Sequence, residues 1–372
     1  MTAEETPASS NDDETTQAQT TTEALEWHAP VLVRIDEHTT IPHLLKERVQ
    51  RGATRPLILR KIGIGDTWRS ITAREFYDEV HALAAGLIAR GLEPGDRVAI
   101  MSRTRYEWTL LDFACWAAAL VPVPIYETSS IDQVAHVLVD ADVNLIVTET
   151  VSMAEIVRAA AERAHRDNTH VLSLDSEAIE TLIAEGATVP RDRVAARADK
   201  LTTDDIATIV YTSGTTGTPK GTVLSHENFT NLCLNAHAWM PEIAAGKNSR
   251  LLLFLPLAHV FARFLQVFQI SGNGVLGHAP NIKNLLPDLA SFRPSYLLVV
   301  PRVLEKIYNS ADTKARGPKQ KIFRWAAKVA IAYSQALNTE EGPTASLKAQ
   351  HALADKLVYQ QIIRLVGGNA DY

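Results

Sequence analysis

Cysteine is nearly absent: the 372 residues hold two, Cys115 and Cys233, both in segments that read as buried helix. A small secreted scaffold needs many more, so disulfides do not hold this fold, and a reduced, cytoplasmic setting is expected. The N-terminus lacks the positive region and apolar run of a secretory signal. No apolar run approaches the roughly 20 residues that cross a bilayer. The longest, Phe113 to Tyr126, is interrupted by Pro122 and Pro124. The first 28 residues have no lysine or arginine, only Glu4, Glu5, Asp12, Asp13, Glu14, Glu23 and Glu26 as charges. These seven come from a total of 43 acidic groups, so the remainder sets 36 of them against all 37 basic groups. Polyanion-binding chains are normally basic, and this near-neutral body excludes nucleic acid as the main partner.

What is present divides the chain in two. Residues 1–28 are rich in Thr, Ser, Glu and Asp with few apolar anchors, and read as a disordered, solvated tail. From Val31 onward short apolar runs alternate with amphipathic helices, the pattern of an α/β fold. The clearest helix runs from Thr72 to Arg90. Thr72 and Glu75 have capping-box spacing, Phe76, Val80, Leu83, Leu87 and Ile88 share a face, and Gly91 stops it. A turn at Glu93–Asp96 leads to a strand at Arg97–Met101. Further strands are expected at Asn144–Thr148, Val171–Leu174, Ile206–Tyr211, Leu251–Phe254 and Tyr296–Val300. Helices are expected at Trp108–Leu120 and Val151–Arg166, from about Glu227, and at Leu304–Ala311, Ile322–Ala336 and Leu347–Leu365.

The most informative stretch is Tyr211-Thr212-Ser213-Gly214-Thr215-Thr216-Gly217-Thr218-Pro219-Lys220-Gly221. It follows a strand and comes shortly before a helix. Glycines let successive backbone N–H groups turn toward one point, forming an anion nest. The hydroxyls of Thr212, Ser213, Thr215 and Thr216 add donors, and Lys220 adds a point charge suited to phosphate. Together they describe a polyphosphate cradle. It is not a Walker A loop: counting from Gly214, Pro219 stands where glycine is required, and Gly221 stands where Ser or Thr should follow the lysine.

This loop resembles the phosphate-binding signature of the adenylate-forming (AMP-binding) superfamily, which includes acyl-CoA synthetases, luciferases and peptide-synthetase adenylation domains. Leu255-Pro256-Leu257-Ala258-His259-Val260-Phe261-Ala262-Arg263 resembles the segment that follows it in long-chain fatty acyl-CoA synthetases. Val123–Ser129 and Pro294–Tyr308 resemble the same branch. The resemblance runs from about Val31 to Tyr372. It implies the layered large N-terminal domain of those enzymes over residues 29–372, with residues 201–372 carrying the phosphate loop and acyl-pocket segments.

The resemblance also implies a reaction. A fatty carboxylate attacks the α-phosphate of ATP, giving acyl-adenylate and pyrophosphate; the thiol of coenzyme A then takes the acyl group, releasing AMP. Mg2+ accompanies the ATP. The resemblance assigns Thr212, Ser213, Gly214, Thr215, Thr216, Gly217 and Lys220 to the β- and γ-phosphates, with Lys220 and His259 as catalytic residues. On residue type alone, His259 in an apolar segment reads as a satisfied core histidine; the resemblance puts it at the wall of the acyl pocket. Arg263 is open between ordering that segment and a structural ion pair. Arg302, Glu305 and Lys306 read as helix-capping and surface ion-pairing groups. A basic stretch, Lys314, Arg316, Lys319, Lys321, Arg324 and Lys328, has no acidic residue from Lys314 to Asn338. It reads either as a solvated helix face or as a peripheral contact with anionic lipid.

Three family elements are not in this sequence: Tyr-Gly-x-Thr-Glu for adenine and magnesium, Thr-Gly-Asp for ribose, and the C-terminal lid domain with its lysine. The resemblance therefore implies an N-terminal portion, with little or no acyl-CoA synthesis by these 372 residues alone. Two other readings stand beside the ligase: a catalytically inactive nucleotide- or acyl-binding module, and another adenylating enzyme such as an amino-acid-activating domain.

Overall fold

The computed structural model describes residues 29–63, 66–166, 168–212, 218–244, 246 and 249–371. The acidic tail expected at residues 1–28 lies outside them. Residues 29–31 form no helix or strand.

The chain from Leu32 begins with α1 (Ile41–Gly52), β1 (Pro56–Lys61), β2 (Trp68–Thr72) and α2 (Ala73–Ala89). The capping box at α2 is complete: Thr72 Oγ1 accepts the Glu75 N–H at 3.2 Å, and Glu75 Oε2 accepts the Thr72 N–H at 2.7 Å. All five residues of its expected apolar face are buried. Gly91, at φ 82°, turns the chain out of the helix, a conformation that favours glycine.

Next come β3 (Arg97–Met101), α3 (Tyr106–Ala117), β4 (Val121–Ile125), α4 (Ile131–Asp140), β5 (Val143–Thr148), α5 (Val151–Arg163) and β6 (His170–Ser173). These strands form an all-parallel sheet in the order β4-β3-β5-β6. Pro122 and Pro124 have no N–H to offer a further strand, so β4 is an edge. The helices α6 (Ala178–Gly186) and α7 (Arg191–Ala198) follow. Beside β4 lies a two-stranded antiparallel hairpin, β7 (Ile206–Thr212) and β8 (Lys220–Ser225). It is tied to that edge by a side chain: Thr208 Oγ1 donates to the Pro122 carbonyl at 2.7 Å.

The remaining elements are α8 (His226–Trp239), α9 (Pro241–Ala244), β9 (Arg250–Leu253), α10 (Val260–Ser271), β10 (Val275–His278), α11 (Leu285–Phe292), α12 (Pro301–Lys314), α13 (Pro318–Ala336), α14 (Ala345–Ala354) and α15 (Gln360–Leu365). A second sheet has the order β2-β1-β10-β9, with only the β1–β2 pair antiparallel. The main core lies among α1, α2, α3, α8 and α10 and both four-stranded sheets; Trp108, Trp116, Phe76 and Leu83 are fully buried there.

Three expectations change. The signature loop is not a strand-to-helix connection: β8 intervenes, so the loop caps a hairpin and α8 starts only at His226. Tyr296–Val300 is not a strand; among the described residues it makes one bridge, Tyr296 to Leu251, while Leu297, Leu298 and Val299 pack as side chains without laddering their backbone. The helix expected at Leu347–Leu365 is divided by a π-helical turn at Asp355–Tyr359.

Candidate nucleotide and acyl site

In the hairpin, Thr212 ends β7 opposite Lys220, which opens β8, and Tyr211 faces Gly221. Thr212 and Lys220 are both exposed. Ser213, Gly214, Thr215, Thr216 and Gly217 lie outside the described residues. The two flanks of the loop are thus placed, and each is held. Gly221 lies under the Tyr211 ring: a Cβ there would come within 2.8 Å of Ile209 Cγ2 and 3.1 Å of Tyr211 Cζ.

Helix α4 clamps the base of the hairpin. Tyr211 Oη donates to Asp140 Oδ2 at 2.6 Å, and His136 Nε2 lies 2.8 Å from the Pro219 carbonyl oxygen. The His136 and Tyr211 rings meet edge to face with centroids 5.8 Å apart. Burial, and then the bond to Asp140, raises the Tyr211 pKa, so the phenol stays a donor at neutral pH. Nothing in the residue types of His136 and Asp140 marked them; they matter because α4 packs where it does.

His259 precedes the first turn of α10 as its N-cap. Its Nδ1 accepts the Phe261 N–H at 3.2 Å. A neutral imidazole that accepts at Nδ1 carries its proton on Nε2. The ring is exposed, so it is not the satisfied core histidine that residue type alone favours. The segment before it is pinned from the β3–α3 connection: Thr104 Oγ1 donates to the Leu255 carbonyl at 2.7 Å and accepts the Leu257 N–H at 3.1 Å.

These pieces border one cavity of about 430 Å³. Tyr211, Thr212 and Pro219 come from the hairpin, His259 from the N-cap of α10, and Pro124 to Tyr126 from the end of β4. Three stretches separated in sequence therefore meet: the loop flanks, Leu255–Arg263 and Val123–Ser129. The fourth does not join them. Arg302, Val303 and Glu305 border a different depression with Ile282 and Lys314. Arg302 and Glu305 pair with each other at 3.3 Å on the surface of α12, as a surface role requires. The described cavity lining has no Asp or Glu, and no metal-binding cluster occurs among the described residues. The described lining is mostly apolar with a few neutral polar groups, among them Ser129, Gln133, Thr212 and His259, and does not suit a protein-held Mg2+.

The AMP-binding enzyme family profile matches residues 45–353. This chain belongs to that family. Among curated relatives, it is 39% identical over 347 residues to the long-chain-fatty-acid–CoA ligase FadD15 of Mycobacterium bovis, covering 92% of this chain and 57% of that one. It is 30% identical over 316 residues to the peroxisomal long chain acyl-CoA synthetase 7 of Arabidopsis thaliana, covering 81% of this chain and 43% of that one. The chain thus spans about half the length of these relatives. Among solved structures, a Mycobacterium tuberculosis fatty acyl CoA synthetase superposes with a TM-score of 0.60 at 24% identity, covering 73% of this chain and 51% of that one. The adenylation domain of a Mycobacterium chelonae carboxylate reductase gives 0.60 at 19% identity, covering 89% and 53%. The α/β layering is therefore that of an AMP-binding adenylation domain. Among the described residues, no helix is long and apolar enough to cross a membrane.

Proposed function

We propose that the chain contributes the phosphate- and acyl-binding part of a long-chain fatty acid–CoA ligase. Residues 29–372 serve as adenylation domain, and 201–372 carry the loop and the acyl-pocket segments. One observation carries the reading: the flanks of a Ser/Thr/Gly loop and an exposed histidine, its Nδ1 engaged by the Phe261 N–H, share the rim of a mostly apolar cavity. Its volume is within the roughly 300–1,000 Å³ typical of ligand sites.

In this reading Thr212, Ser213, Gly214, Thr215, Thr216, Gly217 and Lys220 hold the β- and γ-phosphates of ATP. Charge that moves onto the phosphate oxygens during adenylation is met by their amides, hydroxyls and ammonium. His259 Nε2–H orients one oxygen of the fatty carboxylate so that the other attacks the α-phosphorus. Pyrophosphate leaves, coenzyme A then attacks the acyl carbon through sulfur, and AMP departs. Mg2+ arriving with the nucleotide would neutralise its phosphates, held by the nucleotide and not by a described residue of this cavity.

Calorimetric titration of the chain with ATP, palmitate and leucine tests the assignment. Binding of ATP and palmitate supports it; binding of leucine in place of palmitate replaces it with an amino-acid-activating domain. Lys220→Ala removes one charge-assisted contact, worth about 1.5–3 kcal/mol, and is expected to weaken ATP binding roughly 10- to 100-fold. Palmitate binding should be unchanged in the same titration.

A peripheral membrane contact belongs to the same proposal. Lys314, Arg316, Lys319, Lys321 and Lys328 are exposed, and Ile331 extends the solvent face of α13. Arg324 differs, since Asp312 holds it in two 2.8 Å bonds. Each basic group near an anionic surface contributes about 1 kcal/mol. The double variant Lys321→Glu/Lys328→Glu should sediment less with phosphatidylserine vesicles; sedimentation indifferent to anionic lipid would exclude this contact.

A further inference from the structure

One cluster is more completely satisfied than stability alone explains. Arg263 and Asp112 are both fully buried. The guanidinium grips the carboxylate with two bonds, Nη2 to Oδ1 at 2.5 Å and Nε to Oδ2 at 3.1 Å. Its Nη1 donates to Thr208 Oγ1, which in turn donates a hydrogen bond to the Pro122 carbonyl. Gln266 Nε2 donates to Asp112 Oδ2 at 2.9 Å, and Thr109 Oγ1 donates to Gln266 Oε1 at 2.7 Å. Three aromatic rings enclose the cation, with the Trp108, Trp116 and Phe229 centroids 5.4, 5.3 and 5.9 Å from its Cζ.

Breaking a buried ion pair is costly, but well-packed apolar residues in place of both partners are often neutral or stabilising. Net stability is therefore a weak reason for this arrangement. Direction is a better one. A bidentate fork fixes orientation as well as distance. Arg263 is one helical turn beyond His259 on α10, and Thr208 is one strand segment before Thr212 on β7. Trp116 Nε1 adds a second tie, donating to the Ala207 carbonyl at 2.7 Å. Sliding α10 along its axis would break the fork and the Thr208 bond together.

We propose that the Arg263–Asp112–Thr208 network is a positioning device that sets the spacing between His259 and the phosphate hairpin. Arg263 touches no substrate in this account; it acts through the two elements it joins. The inference rests on the ligase reading for its purpose but not for its geometry.

The test exploits the buried state of Cys115 and Cys233, which keeps both from spin-labelling reagents. Thr218 and Phe261 are exposed, one beside each half of the site. Thr218→Cys and Phe261→Cys are introduced together and labelled. Pulsed electron–electron resonance then reads their distance in three backgrounds: the native pair, Arg263→Lys, and Asp112→Leu/Arg263→Leu. The expected result is a single narrow distance for the native pair that is lost in both variants, even though the double-leucine variant melts near the parent temperature. Arg263→Lys keeps the charge but not the fork, so it should fail to restore the peak. An unchanged narrow distance in both variants would overturn the proposal. Should Asp112→Leu/Arg263→Leu fail to fold, Arg263→Lys still decides.

Titrations on the same proteins separate this idea from the functional one. Native chain that binds both ATP and palmitate should show each ligand tightening the other, and the variants should lose that coupling by about tenfold. If the native chain binds neither ligand, the ligase reading falls while the spacing result still judges the network.

Discussion

Gly86→Ala should destabilise this protein by about 1–2 kcal/mol net, although alanine is the better helix former. Gly86 lies in the last turn of α2, where α6 crosses backbone to backbone. A Cβ at Gly86 would be 2.0 Å from the Leu182 carbonyl oxygen and 2.5 Å from its carbon. The reciprocal contact is nearly as close: a Cβ at Gly186 would be 2.4 Å from the Gly86 nitrogen. Both obstacles are main chain, so no side chain can swing aside. The substitution gains about 1 kcal/mol of helix propensity. It loses more, because separating two helices opens packing around Leu182, Leu83 and Leu87, which are fully buried, and overpacking alone costs about 1–3 kcal/mol. Urea unfolding of Gly86→Ala and Gly186→Ala checks this. Midpoints equal to or above the parent would mean that the helices are farther apart than described.

The second large effect is acid sensitivity above the usual carboxylate range. Burial pushes the imidazoles of His226 and His278 down to about 4 from an ordinary 6.5. His226 must stay neutral, because its Nδ1 accepts the Ile41 N–H at 3.3 Å. His278 Nε2 lies 2.7 Å from Thr109 Oγ1, and its Nδ1 has no partner among the described residues. The sign follows from which state takes up protons. Below 6.5 the unfolded chain protonates these rings while the folded chain does not, so stability is full above 6.5 and falls until the pH reaches about 4. Between pH 7 and 5 each ring withdraws about 2 kcal/mol, against a total stability of about 5–15 kcal/mol. His81, also lowered to about 4 by burial, adds a smaller amount because its site is partly open to solvent. Urea midpoints should therefore decline steeply from pH 7 to 5, and His226→Gln should flatten part of that decline. A profile level down to pH 5 would show that both rings charge freely in the folded state.

Much of this molecule is local in the sequence and was legible there. The α2 cap, the buried face that follows it and the Arg97, Asn144 and Ile206 strands all depend on neighbours within a few residues. What was missed depends on distant partners. The short β1 becomes a strand because Ile58 and Leu59 pair with Leu276 and Gly277 of β10, which was also missed. Strand β8 carries a glycine and mostly exposed or half-buried positions, so its pattern is faint; pairing with β7 creates it. The site divides the same way. Glycines, hydroxyls and a lysine suggest a phosphate cradle by composition, with Ser213–Gly217 outside the described residues, whereas His136 and Asp140 of α4 enter only through the docking of one helix on a hairpin. Arg263 was ambiguous for the same reason, since Asp112 and Thr208 reach it from other elements.

The central claim is that the turn between Thr212 and Lys220 grips the phosphates of a nucleotide beside His259. Hydrogen–deuterium exchange with and without ATP addresses it most directly, on native chain and on Lys220→Ala. The account predicts slowed exchange in peptides spanning residues 206–225 and 255–263 of the native chain, with most of that slowing lost in Lys220→Ala. Unchanged exchange in both peptides at saturating ATP, or protection confined to other parts of the chain, would contradict it.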